Sequence, residues 1–202
     1  MLYGFRYYSI RNKIPILIMA TLAPQLEAIY TNFAETVPAS IKDTIDNTRI
    51  YAESKFANPV DVIKVGDRLP SFTLPSATGS PVSSTELLAK SPLLITFYRG
   101  GWCPFCNLAL HALQQKLDDI RAAGVELVAI TPELPDSSLS TKEKNDLKFT
   151  VLSDQGNKYA RQLGIVWKQL DEMGPLFKQF GHVSHAVNMV HKMDHVANEF
   201  HV

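Results

Sequence analysis

The sequence predicts an α/β fold built on parallel strands, and its two cysteines lie at the centre of that fold. An apolar run at 93–98 precedes a helical pattern in which Leu110, Leu113, Leu117 and Ile120 share one face. A second apolar run follows at 125–130. Strand, helix and strand in this order pair in parallel through a right-handed crossover.

The composition is that of a globular protein of 202 residues, with 46% hydrophobic and 20% charged residues. Its 20 basic residues balance 20 acidic ones, and no basic cluster is present. Nucleic-acid binding therefore has no support in the sequence, and no apolar stretch is long enough to span a membrane. We also expect neither a metal nor a cofactor.

Residues 1–58 are expected to form an N-terminal extension and helical arm, and residues 59–202 the α/β domain. Near the start, three basic residues accompany a short apolar patch at 14–18. This pattern fits a weak mitochondrial or secretory signal. The alternative, which we favour, is an upstream extension of the reading frame with Met19 as the working start.

The arm is predicted to contain two amphipathic helices. Leu22, Leu26, Ile29 and Phe33 keep helical spacing, with Pro24 in the first turn. After the break at 38, a serine at position 40 is expected to cap a second helix through about residue 52. The arm packs either on the domain or on a second subunit, so a homodimer is one expectation.

The domain is predicted to begin with a half-buried strand at 72–74 and a turn at 77–80. Ser84 is expected to cap a short helix, and Gly124 to end the long helix that follows the cysteines. Beyond the second buried strand, the pattern predicts a polar helix at 138–144 and a third strand at 149–152. Residues 153–155 then cap a helix that ends near residue 163.

Cys103 and Cys106 lie where a buried strand ends and a helix begins. Backbone N–H groups in the first helical turn have no internal partner, and the helix dipole places partial positive charge there. A thiolate is stabilised in that position, so Cys103 is expected to be the reactive cysteine. Pro104 suits the first helical position, and Cys106 lies one turn further in, within reach of Cys103.

Three other interpretations of the Cys-x-x-Cys pair were compared with redox chemistry. A structural disulfide is disfavoured because so short a loop removes little chain entropy. Half of a zinc site is disfavoured because no second Cys or His pair follows at short spacing. Two inert buried thiols are disfavoured by the proline between them and by the strand-to-helix junction. Redox chemistry is therefore the leading interpretation.

Residues around this turn are candidates for supporting roles. The Arg99 guanidinium can add to the positive field, and Gly100-Gly101 allow a tight turn or the close approach of a partner. Thr131 ends the second buried strand at the same edge of the sheet as Cys103, where α/β sheets place their sites. It either lines the pocket or caps a loop. Arg161 is interpreted as a solvated helix residue, with anion steering as the alternative.

The span from about Val65 to Ile165 resembles the peroxiredoxins of the alkyl hydroperoxide reductase and thiol-specific antioxidant (AhpC/TSA) family, within the thioredoxin-like superfamily. The matching segments are Gly66-Asp67-Arg68-Leu69-Pro70-Ser71-Phe72-Thr73-Leu74-Pro75, Phe97-Tyr98-Arg99-Gly100-Gly101-Trp102-Cys103-Pro104-Phe105-Cys106 and Val151-Leu152-Ser153-Asp154. The stretch from Trp102 to Cys106 also looks like the redox motif of thioredoxins and glutaredoxins. The resemblance implies a three-layer thioredoxin-like fold with a central mixed sheet.

The resemblance further implies that Cys103 attacks the O–O bond of a peroxide and becomes a sulfenic acid. Cys106 then condenses with it to a disulfide, which a thioredoxin or a glutathione/glutaredoxin system reduces. Arg99, Gly101, Trp102, Pro104 and Thr131 are the residues expected to bind substrate or support the cysteines. Typical family members carry a threonine three residues before the reactive cysteine. Gly100 stands there in this chain, so glycine N–H groups would have to replace that hydroxyl.

The C-terminal part departs from the family pattern. We expect the family's final strands to be missing, because residues 182–202 show helical spacing instead. We therefore expect the family-like part to span 65–165, followed by an atypical tail at 166–202. His191 and His195 in this tail are i, i+4 on the predicted helix, which is either a metal pair or, as we favour, a polar helix face.

Three functions remain in competition. The leading hypothesis is a thiol peroxidase of cell redox homeostasis, acting on hydrogen peroxide or alkyl hydroperoxides. The second is a thiol–disulfide oxidoreductase acting on protein partners, and the third is a catalytically impaired or silent module with a replaced C-terminus. A reactive thiol pair suits a reducing compartment, so the cytoplasm is expected, with the mitochondrion as the alternative.

Overall fold

The computed structural model describes residues 17–56, 62–168, 170–175 and 188–190. Its centre is a three-stranded parallel sheet of order β3-β4-β5, formed by Leu93–Phe97, Glu126–Thr131 and Thr150–Ser153. Leu93 is in register with Glu126, and Val128 with Thr150. The predicted parallel α/β fold is therefore confirmed, and the carboxyl ends of the strands meet at one edge.

Helices cover both faces of this sheet. Helices α4 (Pro104–Gln115) and α5 (Leu117–Ala122) lie on one face, and α3 (Ser84–Leu88) and α7 (Lys158–Gln162) on the other. Side chains along a strand alternate between faces. One core accordingly contains Leu110, Leu117, Ile120, Leu127, Ala129 and Val151, and the other contains Val128, Ile130, Leu152, Tyr159, Ala160 and Leu163. Each large apolar side chain buried here contributes about 1.5–3 kcal/mol of transfer free energy.

The helix after the cysteines is interrupted, which its apolar spacing did not predict. Helix α4 ends at Gln115 and α5 begins at Leu117, with Lys116 in a non-helical conformation between them. Gly124 follows α5 with φ of 78° and donates its N–H to the Arg121 carbonyl. This left-handed conformation is open to glycine at little cost, so the predicted helix stop is confirmed.

A hairpin precedes the sheet. Its strands are β1 (Thr73–Pro75) and β2 (Pro81–Ser83), and an antiparallel bridge from Ser76 to Leu152 joins it to β5. The prediction that the Ser84 hydroxyl caps α3 is wrong. Ser84 is the first helical residue, and its buried hydroxyl instead accepts the Phe72 N–H at 2.9 Å. Together with the Ser84 N–H donated to the Phe72 carbonyl, this bond closes the open end of the hairpin.

Two short helical segments complete the domain around the strand ends. Helix α6 (Pro135–Lys144) follows β4 and confirms the predicted polar helix. A 3₁₀ turn at Gln155–Asn157 leads from β5 into α7. The Asp154 carboxylate accepts the N–H groups of Tyr159 and Ala160, so it satisfies two donors at the start of α7.

The N-terminal arm consists of α1 (Leu17–Thr36) and α2 (Ala39–Phe56). The prediction that Pro24 lies in a first turn is wrong, because α1 begins earlier and Pro24 lies inside it on the exposed side. Ser40 does not cap α2. The helix starts at Ala39, and the Pro38 carbonyl accepts its first N–H bonds. Helix α1 packs against α4 of the domain.

The C-terminal prediction is corrected where the structure describes it. Strand β6 (Val166–Lys168) pairs antiparallel with β7 (Asn188–Val190). The helix predicted over 182–202 is therefore wrong for 188–190, since pairing with β6 overrides local apolar spacing. His191 and His195 lie outside the described residues. Among the described helices, none combines the length and the apolarity that crossing a bilayer requires.

Candidate active site

Cys103 lies at the carboxyl end of β3, as the N-cap of α4. Its backbone is extended, with φ of −87° and ψ of 111°, and Pro104 occupies the first helical turn. The Cys103 Sγ accepts the backbone N–H of Cys106 at 3.3 Å. An N-cap sulfur in this position uses an N–H group that would otherwise lack an acceptor, and it lies in the positive end of the helix dipole.

Arg99 supplies the second contact to the same sulfur. Its guanidinium Nη2 donates to the Cys103 Sγ at 3.0 Å. The guanidinium also lies over the Trp102 ring, 5.2 Å from the ring centroid. Stacking on an indole restricts the orientation of the guanidinium, so Trp102 helps to hold the positive charge against Cys103.

The pKa values of the two thiols are shifted in opposite directions. The pKa of Cys103 is lowered to about 6, chiefly by a hydrogen bond from the Cys106 thiol, while burial opposes the change and the Arg99 charge favours it. The pKa of Cys106 is raised well above its ordinary range by its hydrogen bond to Cys103, by burial and by the Cys103 charge. Near neutral pH, Cys103 is therefore mainly a thiolate and Cys106 a protonated thiol, which is the arrangement that a nucleophile and its partner would need.

The Cys103 sulfur is enclosed in this conformation. Cys103 is 0% exposed, whereas Cys106 is half-buried, and both are free thiols. A peroxide can therefore reach the thiolate only when the surrounding turn moves. The second sulfur is already in contact with the first, so disulfide closure needs a smaller rearrangement.

The Gly100-Gly101 turn is built against Glu133. Gly100 has φ of 150°, and a Cβ atom there would lie 2.5 Å from the Trp102 Nε1 and 2.6 Å from the Glu133 Oε1. The N–H of Gly101 donates to the Glu133 Oε2 at 3.0 Å. The glycine N–H that we expected to face a peroxide is thus bonded within the protein here. Burial raises the pKa of Glu133, and the Gly101 N–H opposes that change.

Two asparagines anchor the same turn from the helical side. The Asn107 side chain donates to the Gly101 carbonyl at 2.7 Å, and the Asn145 side chain donates to the Asn107 Oδ1 at 3.0 Å. Sequence reasoning missed both residues, together with Glu133. Asn107 directly follows Cys106, which is a local signal, but Asn145 lies beyond α6 and has no signal near the cysteines.

Thr131 ends β4 and is 0% exposed. Its hydroxyl accepts the Glu133 N–H at 3.3 Å, as expected of a residue that organises a loop. Tyr98, Ser138 and Ser153 are also buried beside the strand ends, and the two serine hydroxyls are 2.9 Å apart. A buried polar cluster thus lies behind residues 99–106, the redox turn.

The remaining candidates do not join the site. Arg161 is exposed at the end of α7, in agreement with its interpretation as a solvated residue. Within the described ranges, no group of three or more His, Cys, Asp or Glu side chains is placed to hold a metal ion.

The fold and the site define a class: a thioredoxin-like protein with two free cysteines where a strand leads into a helix. The family model described as "AhpC/TSA family" matches residues 65–187. The chain belongs to the AhpC/TSA family, which confirms the resemblance seen in the sequence.

Individual relatives agree with this assignment. The chain is 30% identical to peroxiredoxin Bcp of Escherichia coli (strain K12) over 138 residues, which are 68% of this chain and 87% of that protein. It is 33% identical to the chloroplastic peroxiredoxin Q of Gentiana triflora over 103 residues, 51% of this chain and 47% of that one. The peroxidoxin BcpB of Mycobacterium tuberculosis shares the fold, with a TM-score of 0.51 at 24% identity, over 54% of this chain and 70% of that structure.

Proposed function

We propose that this protein is a thiol-dependent peroxidase that reduces hydrogen peroxide or alkyl hydroperoxides. The observation that supports this most directly is the Cys103 sulfur, which accepts hydrogen bonds from both Arg99 and the Cys106 N–H. These contacts stabilise a thiolate, and the thiolate is the form that attacks peroxides. The peroxiredoxin names of its relatives and its family support the same activity.

The order of the reaction steps follows from the lowered pKa of Cys103 and the raised pKa of Cys106. The Cys103 thiolate attacks the nearer peroxide oxygen, the O–O bond breaks, and the alkoxide or hydroxide leaves with a proton as alcohol or water. Cys103 is thereby oxidised to a sulfenic acid. Cys106 then attacks this sulfur, water leaves, and a Cys103–Cys106 disulfide remains. An external dithiol or two monothiols supply the electrons that regenerate the reduced pair.

A thiol–disulfide oxidoreductase acting on proteins is the second candidate. It is favoured by the short Trp102-to-Cys106 motif and by the Gly101 N–H, which is bonded to Glu133 rather than available to a peroxide. A catalytically impaired module is the third candidate, and the enclosed Cys103 sulfur is the observation in its favour.

One set of assays separates the three candidates. Hydrogen peroxide consumption and insulin disulfide reduction are measured on the wild type, Cys103→Ser and Cys106→Ser. A peroxidase loses its first step with Cys103→Ser and keeps one sulfenic-acid turnover with Cys106→Ser. A disulfide reductase releases no reduced insulin with either substitution. Equal, background signals from all three proteins would identify a silent module and contradict the proposal.

The partners and the location are part of the proposal. We infer a thioredoxin or glutathione/glutaredoxin reductant, a cytoplasmic location and, as an alternative to a monomer, a homodimer through the arm. The division into an arm at 1–58 and a domain at 59–202 is likewise proposed. Recycling assays with each reductant test the partner, and sedimentation of the full chain tests the oligomeric state.

A further inference from the structure

Asn145 directly follows α6, and its half-buried side chain reaches from there to the helix that carries the cysteines. Its Nδ2 donates to the Thr141 carbonyl at 2.9 Å and to the Asn107 Oδ1 at 3.0 Å. The first bond belongs to the end of α6. The second joins residues 38 positions apart and contributes nothing to that helix end. A role outside α6 therefore has to account for it.

Two backbone carbonyls fix the orientation of both asparagine amides. The Thr141 and Gly101 carbonyls can only accept hydrogen bonds. Asn145 therefore turns its NH₂ group toward Thr141, and the same group meets the Asn107 Oδ1. Asn107 is left with its Nδ2 toward the Gly101 carbonyl, to which it donates at 2.7 Å. A flipped Asn107 amide would oppose donor to donor at Asn145 and acceptor to acceptor at Gly101.

Asn107 in turn holds the main chain on both sides of Cys103. Its side chain bonds to Gly101, two residues before Cys103, and its backbone N–H donates to the Cys103 carbonyl at 3.0 Å. The Cys103 N–H donates to the Gly100 carbonyl at 3.1 Å. A Cβ atom at Gly101 would overlap the Thr141 Oγ1, so α6 also packs directly on this turn. The backbone of Cys103 is thus fixed by its own turn and by Asn107.

The contacts that stabilise the thiolate depend on this backbone. The Cys103 Sγ accepts the Arg99 Nη2 at 3.0 Å and the Cys106 N–H at 3.3 Å, and both donors lie within the redox turn. Hydrogen bonds weaken steeply as their distance and angle depart from the favoured geometry. A small displacement of the turn therefore removes stabilisation from the thiolate and leaves the thiol unaffected.

We propose that Asn145 is a positioning residue for the Cys103 thiolate and that it acts through the amide of Asn107. This inference rests on the proposed function, because it concerns the nucleophile of that reaction. Asn145 holds Asn107 in the orientation that bonds Gly101. The held turn keeps Arg99 and the Cys106 N–H in place against the sulfur.

The pH profile of Cys103 alkylation by iodoacetamide tests the proposal without a peroxide. A change in access to the sulfur alters the rate at every pH, whereas a less stable thiolate moves the midpoint of the profile to higher pH. Asn145→Ala is expected to move the midpoint upward, with a loss of about three- to tenfold in rate near neutral pH and recovery at high pH.

A double substitution tests the route through Asn107. Asn107→Ala is expected to move the midpoint upward as well. Adding Asn145→Ala to that variant should change the midpoint no further, because no amide is left to orient. Residues that act in one hydrogen-bond network show such non-additive effects. If Asn145 acted through the packing of Thr141 on Gly101 instead, its effect would remain in the Asn107→Ala background.

Two further variants separate positioning from the stability of α6. Ser140→Ala is the matched control, since the exposed Ser140 hydroxyl donates to the Asp136 carbonyl within α6 at 3.1 Å. It should keep the wild-type midpoint. In Asn145→Ser, the hydroxyl can bond to the Thr141 carbonyl four residues earlier but is too short to reach Asn107. This variant should shift the midpoint as Asn145→Ala does, and it replaces Asn145→Ala if that protein fails to fold.

Three outcomes would overturn the proposal. They are a wild-type midpoint in folded Asn145→Ala or Asn145→Ser, an equal shift from Ser140→Ala, or a full effect of Asn145→Ala in the Asn107→Ala background. A lower unfolding temperature with an unchanged midpoint belongs to the first of these and would reduce Asn145 to a structural role. The proposed peroxidase activity fails separately, through absence of peroxide consumption by the wild type.

Discussion

Different kinds of contact stabilise the redox turn and the N-terminal arm. At the turn, Glu133 and Asn145 reach residues that are 32 and 38 positions away in the chain. In the arm, hydrogen bonds such as Arg49 to Glu53 and Thr48 to Thr44 join residues four positions apart in one helix. The turn therefore depends on the tertiary fold, whereas these polar contacts of the arm are local.

This difference predicts which substitutions should destabilise the protein most. Removing a long-range contact leaves a buried or half-buried partner unpaired, which costs more than the bond itself contributes. Removing an exposed contact within a helix returns both partners to water. The expected losses of thiol reactivity and stability are therefore largest at the contacts to the Cys103 sulfur. They are smaller at the asparagines that hold the turn and smallest at the exposed surface of the arm.

The largest effect is expected for Arg99→Leu. The variant keeps the Cys106 hydrogen bond, which is the largest cause that lowers the pKa of Cys103, but it loses the charge and the hydrogen bond of Arg99 while burial still raises that pKa. The thiolate fraction falls about tenfold for each unit by which the pKa of Cys103 exceeds the solution pH. We expect a loss of about 10- to 100-fold in the rate of Cys103 alkylation by iodoacetamide near neutral pH, with recovery at high pH. Arg161→Leu is the matched control and should react as the wild type does. An unchanged pH profile in Arg99→Leu would refute this role.

The same pKa shift predicts a pH-dependent stability. Because the native pKa of about 6 lies below that of an unfolded thiol, the native state binds fewer protons between the two values. Stability from this group is therefore present at high pH, decreases as pH falls below the unfolded value, and is lost as pH falls through about 6. Thermal unfolding of wild type and Cys103→Ser across this window measures it; parallel curves would contradict the shift.

An intermediate effect is expected for Asn107→Ala. The change leaves the Gly101 carbonyl without its partner and removes one of two acceptors of the Asn145 amide, which keeps the Thr141 carbonyl. The unfolding free energy should fall by about 1–3 kcal/mol. Cys103 reactivity should fall as well, because the turn that places Arg99 and Trp102 loosens. Gln115→Ala, at the exposed end of α4, is the control and is expected to change neither quantity.

The smallest effect is expected for Arg49→Ala. This exposed residue pairs with Glu53 at 2.8 Å inside α2, and such pairs contribute little. Thermal unfolding and Cys103 alkylation should both match the wild type. A clear loss of thiol reactivity in this variant would show that the arm and the turn are coupled, and the contrast drawn above would no longer hold.

The sequence was informative where structure is local. Apolar runs predicted β3, β4 and β5, and the strand-to-helix junction placed Cys103 at a helix start. Arg99 is four residues from Cys103, so its role followed from proximity. The Glu133 and Asn145 contacts could not be predicted, because they depend on how α6 and the β4 end pack around the turn. For the same reason, pairing between β6 and β7 overrode the helical spacing at 188–190.

Strand β3 has a neighbour on one side only within the described part of the sheet. Its other flank carries backbone donors and acceptors that can template an added strand. Strand β3 leads directly into Tyr98 and Arg99. A strand docked on that flank would therefore shift the backbone of Arg99, whose guanidinium donates to the Cys103 Sγ. Self-association along β3 would then change the chemistry of this protein as well as its solubility.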